Sequence, residues 1–242
     1  MNFQNIFIVG NGRTGTNFLC RSLLGFANVD DFMDGQENHA VRHQVTLAAL
    51  HHEPLSKDTM DYYRSHIKKA NNQGKIFLDQ SHPNLFHVEQ LLDDFPKSLF
   101  LATDRPIEQV VSSMLRHKSV MGWFDYAKSH TGHRCRFPNQ FLGVSTKDHL
   151  NKPKHLLCAM RVIAHNKKRQ DLIERHPGVV RLIKFTSLVK DQIGTLRDIF
   201  TTREFSALGL FEMSLQSEQS VLKKYKENLS DQMLKEILQC QI

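Results

Sequence analysis

Short apolar runs alternate along this chain with longer segments in which apolar residues recur every three or four positions. The runs predict buried strands, and the recurring positions predict amphipathic helices. We predict four strands, over 5–9, 76–79, 98–103 and 179–184. We predict helices over 14–25, 57–72, 85–95, 107–117, 154–176 and 231–238, the last with Ser230 as its N-cap. This alternation is typical of a parallel sheet covered by helices, and so of a three-layer α/β/α fold.

Two segments follow neither pattern. Residues 26–53 are polar and rich in histidine, and residues 122–151 mix aromatic, basic, glycine and proline residues. We expect both to be irregular, because long loops in a compact domain commonly form lids or walls of a substrate site. Trp123 and Tyr126 then belong either to the core or to such a wall. The length fits a single domain that spans 1–242.

The composition is that of an ordinary globular protein, with 40% hydrophobic and 24% charged residues. The formal net charge of +7 suits an anionic ligand. The basic residues are dispersed rather than gathered in a recognition motif, so we do not expect a nucleic-acid partner. No apolar run approaches the roughly 18 residues that span a bilayer, and the first residues do not resemble a signal peptide. Since the four cysteines also lack paired spacing, we expect a cytoplasmic protein with reduced thiols.

The most informative segment is 6–17, IFIVGNGRTGTN, in which an apolar strand leads through glycines into a helix. Glycines let backbone N–H groups close around an anion at the start of a helix. The spacing between Gly10 and Gly15 is that of a nucleotide-binding P-loop. Thr16 stands where ATP and GTP hydrolases have a lysine, and Arg13 lies inside the loop. This indicates a phosphate site with a chemistry other than nucleotide hydrolysis.

Two further polar turns follow predicted strands. Asp79 and His82 come at the end of the strand 76–79, and Arg105 follows the strand 98–103. In an open parallel sheet, ligands bind beyond the carboxyl ends of the strands. We therefore expect these turns and the glycine-containing segment to face one crevice.

Three sets of residues resemble the sulfotransferases that use phosphoadenosine phosphosulfate (PAPS) as donor. Residues 12–17, GRTGTN, resemble the family's 5′-phosphosulfate loop, and residues 184–188, KFTSL, resemble its late strand and turn. Phe95-Pro96, the strand to Thr103, and then Arg105, Pro106 and Ser112 resemble its 3′-phosphate motif. The resemblance implies a P-loop NTPase-like sulfotransferase fold. It also implies transfer of a sulfuryl group from PAPS to a hydroxyl or amine acceptor, with the nucleotide PAP as product.

The same resemblance implies the donor-binding residues. The 5′-phosphosulfate would be held by Gly12, Arg13, Thr14, Gly15, Thr16 and Asn17. Arg13 would neutralise the charge that builds on the bridging oxygen, a task suited to its fixed set of donors. Late basic contacts to the donor would come from Lys223 and Lys224. No metal is expected, because PAPS has no γ-phosphate to hydrolyse.

One position departs from the family pattern. The family's arginine usually lies two residues before the proline, where this chain has Asp104, and Arg105 lies one residue later. Counting from Pro106 selects Ser112 as the 3′-phosphate ligand, and counting from Arg105 selects Ser113. We expect Arg105 to point inward and Asp104 outward, because a carboxylate would repel a phosphate. Ser112 is the favoured serine.

A general base is needed to accept the proton of the acceptor hydroxyl. His82 has the best unperturbed pKa for this task near neutrality. Asp79 closes a strand in the expected crevice, and Glu37 lies in the segment where other branches of the family place a catalytic glutamate. The sequence leaves all three as candidates.

Two other functions remain open from the sequence. A P-loop nucleotide or metabolite kinase would use Asp79 for Mg²⁺, but it would need a lysine at the position of Thr16. A protein that binds PAP or another nucleotide without turnover would keep the loop and lose the chemistry. The expected acceptor is a small molecule, a carbohydrate or a lipid, and the sequence does not choose among them.

Overall fold

The computed structural model of this chain describes residues 3–30, 36–130, 135–211 and 228–240, and for residues 36–38 the backbone only. Its sheet has five strands in the order β2-β3-β1-β4-β5, and every neighbouring pair is parallel. The strands are β1 (Asn5–Val9), β2 (Val29–Asp30), β3 (Ile76–Asp79), β4 (Ser98–Asp104) and β5 (Val180–Lys184).

Helices connect the strands and follow the last of them. In the described ranges they are α1 (Thr16–Leu24), α2 (Gln36–His51), α3 (Lys57–Asn72), α4 (Val88–Asp94), α5 (Ile107–Leu115), α6 (Lys118–Ser129), α7 (Lys154–Arg175), α8 (Phe185–Lys190), α9 (Gln192–Ile199), α10 (Thr202–Ala207) and α11 (Asp231–Gln239). Two 3-10 turns are found at His82–Phe86 and Lys147–Asn151. The predicted N-cap of α11 is confirmed, since the Ser230 hydroxyl accepts a hydrogen bond from the Met233 N–H at 3.2 Å.

The central strands of the sheet are buried on both faces, whereas Leu182 and Lys184 of the edge strand β5 are exposed. Successive side chains of a strand point to opposite faces, and in β1 all five residues are buried. Ile6 and Ile8 pack in a cluster with α1 and α9, whereas Phe7 and Val9 pack in another with α3, α4 and α7. This confirms the predicted three-layer α/β/α architecture. A third apolar cluster joins α5, α6, α7 and α11 to the loop around Phe141.

The structure departs from the prediction for the two irregular segments. Within residues 26–53 it contains β2 and the 16-residue helix α2, and α6 covers the first part of residues 122–151. The prediction that these parts are irregular is wrong. The sequence of α2 lacks a clear helical periodicity of apolar residues, because this helix borders two apolar clusters and a polar cleft rather than one core face. The part of the second segment that the structure describes after α6, residues 135–151, consists of loop and one 3-10 turn.

The parallel topology gathers four turns at one edge of the sheet. β1, β3, β4 and β5 all end there, and the segments that follow them carry the residues predicted for the site. None of the helices in the described ranges combines the length and the apolar character needed to cross a membrane.

Candidate active site

The segment Gly10–Asn17, here called the glycine loop, joins β1 to the first turn of α1. Its backbone has positive φ at Gly10 (141°), Arg13 (77°) and Gly15 (96°). For arginine this left-handed conformation costs about 1 kcal/mol or more, so the surrounding structure must hold it. At Gly15 a side chain is also excluded by space, because a Cβ atom there would lie 2.1 Å from the ring of Phe185. The sequence of the loop therefore fixes a turn that few other sequences could form.

Two threonines hold the glycine loop in place. The Thr14 hydroxyl donates to the Asn11 carbonyl at 2.5 Å and lies 2.6 Å from the Thr103 hydroxyl at the end of β4. The Thr16 hydroxyl accepts a hydrogen bond from the Gln80 side chain at 2.8 Å. Both threonine side chains are buried. The Thr14 side chain is thus an anchor to β4, and among the loop's side chains those of Arg13 and Asn17 are exposed.

A groove of about 220 Å³, here called the arginine groove, lies beside the loop. Three of the residues that line it are arginines and none is a carboxylate; the lining residues are Arg13, Gly15, Thr16, Asn17, Phe18, Arg21, Arg105, Ser113 and Phe185. The Arg105 guanidinium lies 4.7 Å above the ring of Phe185, and its Nε donates to Gln109 at 3.0 Å. These contacts hold Arg105 toward the groove, as predicted from the sequence.

The arginines of this groove repel one another. Burial lowers the pKa of Arg13, and the charge of Arg116 lowers it further. Burial, Arg13 and Arg116 together lower the pKa of Arg105 to about 10, against a smaller opposite effect of Glu108. Like charges held together in partly buried positions are stabilised by a bound anion. The groove is therefore built for an anionic ligand.

The first turn of α1 adds unpaired amides to the same groove. Its N-cap is Gly15, which has no side chain, and no side-chain hydrogen bond caps this helix. No such hydrogen bond caps α4 to α8 either, whereas side chains cap α3, α9, α10 and α11. The start of α1 differs from those of α4 to α8 in lying beside the arginine groove, which its N-cap Gly15 lines. An uncapped helix start presents its N–H groups and the positive end of its dipole to whatever lies before it.

The two candidate serines of α5 lie in different surroundings. Ser113 lines the groove, and its hydroxyl accepts a hydrogen bond from Arg13 Nε at 3.0 Å. Ser112 is buried, and its hydroxyl accepts from the Asn228 side chain at 3.2 Å. The structure thus brings Ser113, and not the favoured Ser112, to the groove. Which of the two serines binds a 3′-phosphate stays a prediction. The carboxylate of Asp104 pairs instead with Arg169 at 2.8 Å.

A second cavity of about 220 Å³, here called the histidine cleft, lies on the other side of the glycine loop. It shares Arg13, Thr16 and Asn17 with the arginine groove, so the two cavities meet at the loop. The other residues that line it are Gly12, Arg42, Thr46, Gln80, Ser81, His82, Pro83, His117, Ser119, Val120, Trp123, Phe141 and Arg161. Trp123 is therefore a wall of this cleft. Tyr126 packs against His130 and is half-buried.

His82 lines the histidine cleft and lies against the glycine loop. Its carbonyl accepts the Gly10 N–H at 3.2 Å, and its ring packs tightly against position 12. A Cβ atom on Gly12 would lie 3.0 Å from His82 Nε2. Burial lowers the pKa of His82 well below its usual range, and the charges of Arg161, His165, Arg42 and Arg13 act in the same direction. The imidazole is therefore neutral near pH 7 and able to accept a proton.

The other two candidates for the general base are Asp79, whose surroundings the structure describes, and Glu37, whose side chain it does not. Asp79 is fully buried and does not line the cleft. Its carboxylate accepts from Ser81 N–H at 2.8 Å, Ser81 Oγ at 3.0 Å and Asn84 Nδ2 at 3.0 Å, and burial raises its pKa. This carboxylate shapes the turn that carries His82. Glu37 belongs to the first turn of α2, and its side chain lies outside the described residues.

Lys223 and Lys224 also lie outside the described residues. No group of three or more histidine, cysteine, aspartate or glutamate side chains in the described ranges is arranged to hold a metal ion. All four cysteines are free thiols.

Three residues of this region were not predicted from the sequence. Arg42 and Arg161 line the histidine cleft, and His165 contacts Phe141, which also lines it. Nε2 of His165 lies 2.8 Å from the Phe141 carbonyl, and burial lowers the pKa of this imidazole to about 3. Arg161 and His165 are four residues apart on the apolar face of α7, which also carries Leu157. Charged or polar residues at core positions of a helix are the signal that could have identified them.

Comparisons with known proteins agree with this geometry. No protein-family model matches the chain, and no curated protein gives a significant match. Solved structures do match, among them two that match along almost its whole length. The sulfotransferase domain from the curacin biosynthetic pathway matches with a TM-score of 0.51 at 12% identity, over 97% of this chain and 96% of that one. This chain has the sulfotransferase fold. A sulfotransferase from Alicyclobacillus acidocaldarius matches with a TM-score of 0.55 at 11% identity, over 98% and 90% of the two chains.

The fold class predicted from the sequence is thereby confirmed. At identities of 11–12% the likeness concerns the backbone. What this chain binds must be argued from its own side chains.

Proposed function

We propose that this protein is a PAPS-dependent sulfotransferase that transfers a sulfuryl group to a hydroxyl or amine acceptor. The observation that carries the proposal is that two cavities meet at Arg13. One is an arginine groove without carboxylates, and the other contains a neutral histidine. The first suits a nucleotide with several anionic groups, and the second suits an acceptor that must lose a proton.

The donor's anionic groups have separate partners in the arginine groove. The amides at the start of α1 and the guanidinium of Arg13 would hold the 5′-phosphosulfate. Arg105 and Ser113 would hold the 3′-phosphate, because both line the same groove on α5 and the turn before it. The ring of Phe185 offers an apolar surface beneath Arg105. The set of residues therefore fits the donor in charge and in hydrogen-bond donors.

When bound, PAPS supplies the sulfuryl group and its 5′-phosphate is the leaving group. The task of the protein is then to orient the reactants and stabilise charge, as in phosphoryl transfer. Arg13 is the cation common to both cavities, so it is in position to neutralise charge on the bridging oxygen. A hydrogen bond to Ser113 orients its guanidinium before any ligand arrives.

His82 is the proposed general base. It accepts the proton of the acceptor hydroxyl at an imidazole nitrogen as the acceptor oxygen bonds to sulfur. Burial is the main cause of its depressed pKa, which keeps it unprotonated before reaction, and an anion bound beside Arg13 would raise that pKa by offsetting the charge of Arg13. The base thus becomes stronger when the donor is present.

The kinase alternative has less support from the site. Thr16 stands in place of the lysine, and its hydroxyl is engaged with Gln80. Asp79, the sequence candidate for an Mg²⁺ ligand, accepts three hydrogen bonds from its own turn in a fully buried position. Thr16 therefore supplies no cation for a γ-phosphate, and Asp79 lines neither cavity.

The test is transfer of radiolabelled sulfate from PAPS to a panel of phenols, sugars and fatty alcohols. We expect a labelled product with at least one class of acceptor, and no product with the Arg13→Ala variant. Transfer of phosphate from ATP with Mg²⁺, without transfer from PAPS, would establish the kinase instead. Binding of PAP without any transfer would leave a nucleotide-binding protein and refute the enzymatic part of the proposal.

A further inference from the structure

The guanidinium of Arg161 is a buried charge that lacks an ionic partner among the described residues. Arg161 is 2% exposed, and neither its Nε nor its Nη1 has a hydrogen-bond partner. Its Cζ atom lies 4.3 Å from the centre of the Phe141 ring, which holds the group in place. Arginine is almost never buried this fully without a paired charge. Such a charge calls for a counter-ion that the described residues do not supply.

The surroundings of Arg161 are positive rather than balanced. It lines the histidine cleft together with Arg42 and Arg13, and none of the residues that line this cleft is a carboxylate. Arg42 likewise has a buried Nε without a partner. Burial lowers the pKa of Arg161 to about 10, and among the described residues only the Cys158 thiol acts in the opposite direction. Asp79 is the carboxylate influenced by Arg42, and the turn around Ser81 and Asn84 already satisfies it.

We propose that the acceptor substrate carries a compact oxyanion, such as a carboxylate, and that Arg161 and Arg42 bind it in the histidine cleft. The proposal rests on the proposed function, since it names the class of acceptor for the same site. The acceptor is then a hydroxylated or aminated acid, held by its anionic group while its nucleophile faces His82. Arg161 is a binding residue that selects the substrate.

The position of Arg161 distinguishes this role from donor binding. Arg161 and Arg42 line the histidine cleft and not the arginine groove, whereas Arg105 and Ser113 line the groove and not the cleft. The cleft also has an apolar wall, formed by Val120 and Trp123. An acceptor with an apolar body and one anionic end matches this distribution of charge and apolar surface.

Another arginine of α7 has the ionic partner that Arg161 lacks among the described residues. Arg169, two turns after Arg161 on α7, pairs with Asp104 at 2.8 Å and donates to the Thr103 carbonyl at 3.0 Å. Replacing a paired buried arginine destabilises a protein, because its partner is left unpaired. Replacing an unpaired one by an apolar residue of similar size removes a desolvation cost instead. The two arginines therefore form a matched pair for an experiment.

The test uses the full chain saturated with PAP and three small probes: benzoate, phenyl phosphate and the neutral benzamide. The melting temperature is measured with each probe, in the unaltered protein and in the Arg161→Met, Arg42→Gln and Arg169→Met variants. We expect at least one of the two anions to raise the melting temperature by about 2 °C or more, as near-saturation of one site does in a chain of this size, and benzamide to leave it unchanged. Arg161→Met should abolish the rise and Arg42→Gln should reduce it. Arg169→Met should lower the melting temperature and keep the rise.

Without ligand, Arg161→Met should melt at the same temperature as the unaltered protein or above it. If neither anion stabilises the unaltered protein more than benzamide does, the proposal is overturned. It is also overturned if Arg161→Met weakens the binding of PAPS but not of PAP, because the guanidinium would then hold the transferred group. The stabilisation by PAP itself is measured separately, so its absence counts against the proposed function and not against this site.

Discussion

Arg13 Nε donates a hydrogen bond to Ser113 Oγ at 3.0 Å, and this bond joins the glycine loop to α5 across the arginine groove. The two residues are 100 positions apart in the sequence. Because Arg13 also lines the histidine cleft, the bond fixes the one cation that both cavities share. In the proposed mechanism, donor binding, charge stabilisation and acceptor placement would all depend on this single side chain.

Replacing Ser113 tests the proposed 3′-phosphate contact. Ser113→Ala removes a hydroxyl that lines the groove, so we expect PAP to bind about 5-fold more weakly, as the loss of one hydrogen bond of about 1 kcal/mol gives. Ser112→Ala is the control, since that hydroxyl is buried against Asn228. It should leave PAP affinity unchanged and lower the free energy of unfolding by about 1 kcal/mol. Calorimetric titration with PAP measures the first effect, and the opposite ranking of the two variants would show that Ser112 is the ligand.

Gly15 offers a test of how the loop is held. Gly15→Ala meets both a positive φ of 96° and the ring of Phe185, with its Cβ 2.1 Å from the ring. Gly178→Ala meets a positive φ of 79° and open space, so it carries the backbone cost alone. We expect Gly178→Ala to lower the free energy of unfolding by about 1 kcal/mol and Gly15→Ala by roughly 2–4 kcal/mol, measured by urea denaturation. Equal losses in the two variants would mean that the contact with Phe185 does not constrain the loop.

His82 should act on turnover and not on donor binding. His82→Gln removes the proposed base, so we expect kcat to fall by about 100-fold or more while the stabilisation by PAP is retained. The pKa of His82 lies well below its usual range, so the acidic limb of kcat/KM for PAPS should lie below pH 6.5. At saturating PAPS the acidic limb of the pH profile of kcat should lie at higher pH than that of kcat/KM, because the bound anion offsets the charge of the nearby arginines and so raises the pKa of His82. An acidic limb above pH 6.5 in kcat/KM, or a His82→Gln variant with near-normal kcat, would exclude His82 as the base.

Two buried histidines predict a loss of stability in acid. Burial lowers the pKa of His87 to about 4 and that of His165 to about 3, while an unfolded histidine titrates near 6.5. The unfolded state therefore binds more protons below pH 6.5, so stability is complete above that pH and is lost as the pH falls toward 4 and then 3. Each group contributes a slope of about 1.4 kcal/mol per pH unit in this range.

The measurement is the free energy of unfolding by urea between pH 7 and pH 4.5. His165→Asn and His87→Asn should each reduce the slope, whatever they do to the absolute stability. His39→Asn, at an exposed position of α2, should leave the slope unchanged. A slope that neither buried substitution alters would mean that other groups govern the acid response.

The strands β1, β3 and β4 were predictable because they are apolar runs whose residues are almost all buried. β5 was predictable from its apolar residues, although only two of its five residues are buried. The bounds predicted for β1 and β3 are those observed, and β4 and β5 differ by one residue. β2 was missed because it has two residues, too few for any periodic pattern. The predicted helix at 14–25 begins two residues late, since Thr14 bonds to Asn11 and Thr103 rather than starting the helix. Whether the whole chain forms one domain over 1–242 stays a prediction.

The candidate site was predictable only where residues follow strands in sequence. Arg13, His82 and Arg105 each come within a few residues of a strand end, so the parallel topology was enough to bring them together. Arg42 and Arg161 belong to the middle of helices, and packing alone decides that these two line the histidine cleft. Which of Ser112 and Ser113 lines the groove depends on how α5 is rotated about its axis. The sequence does not define this rotation, because the motif is shifted by one residue and can be counted from Pro106 or from Arg105.

Binding of PAP tests the central claim most directly. Calorimetric titration of the full chain with PAP, AMP and ATP should show the tightest binding for PAP, because PAP alone of the three carries the 3′-phosphate proposed for Arg105 and Ser113. Arg13→Ala should remove most of the affinity for PAP, and Arg105→Gln should bring the affinity for PAP close to that for AMP. If the intact protein does not bind PAP, or binds ATP more tightly than PAP, the assignment of this site to a phosphosulfate donor is contradicted.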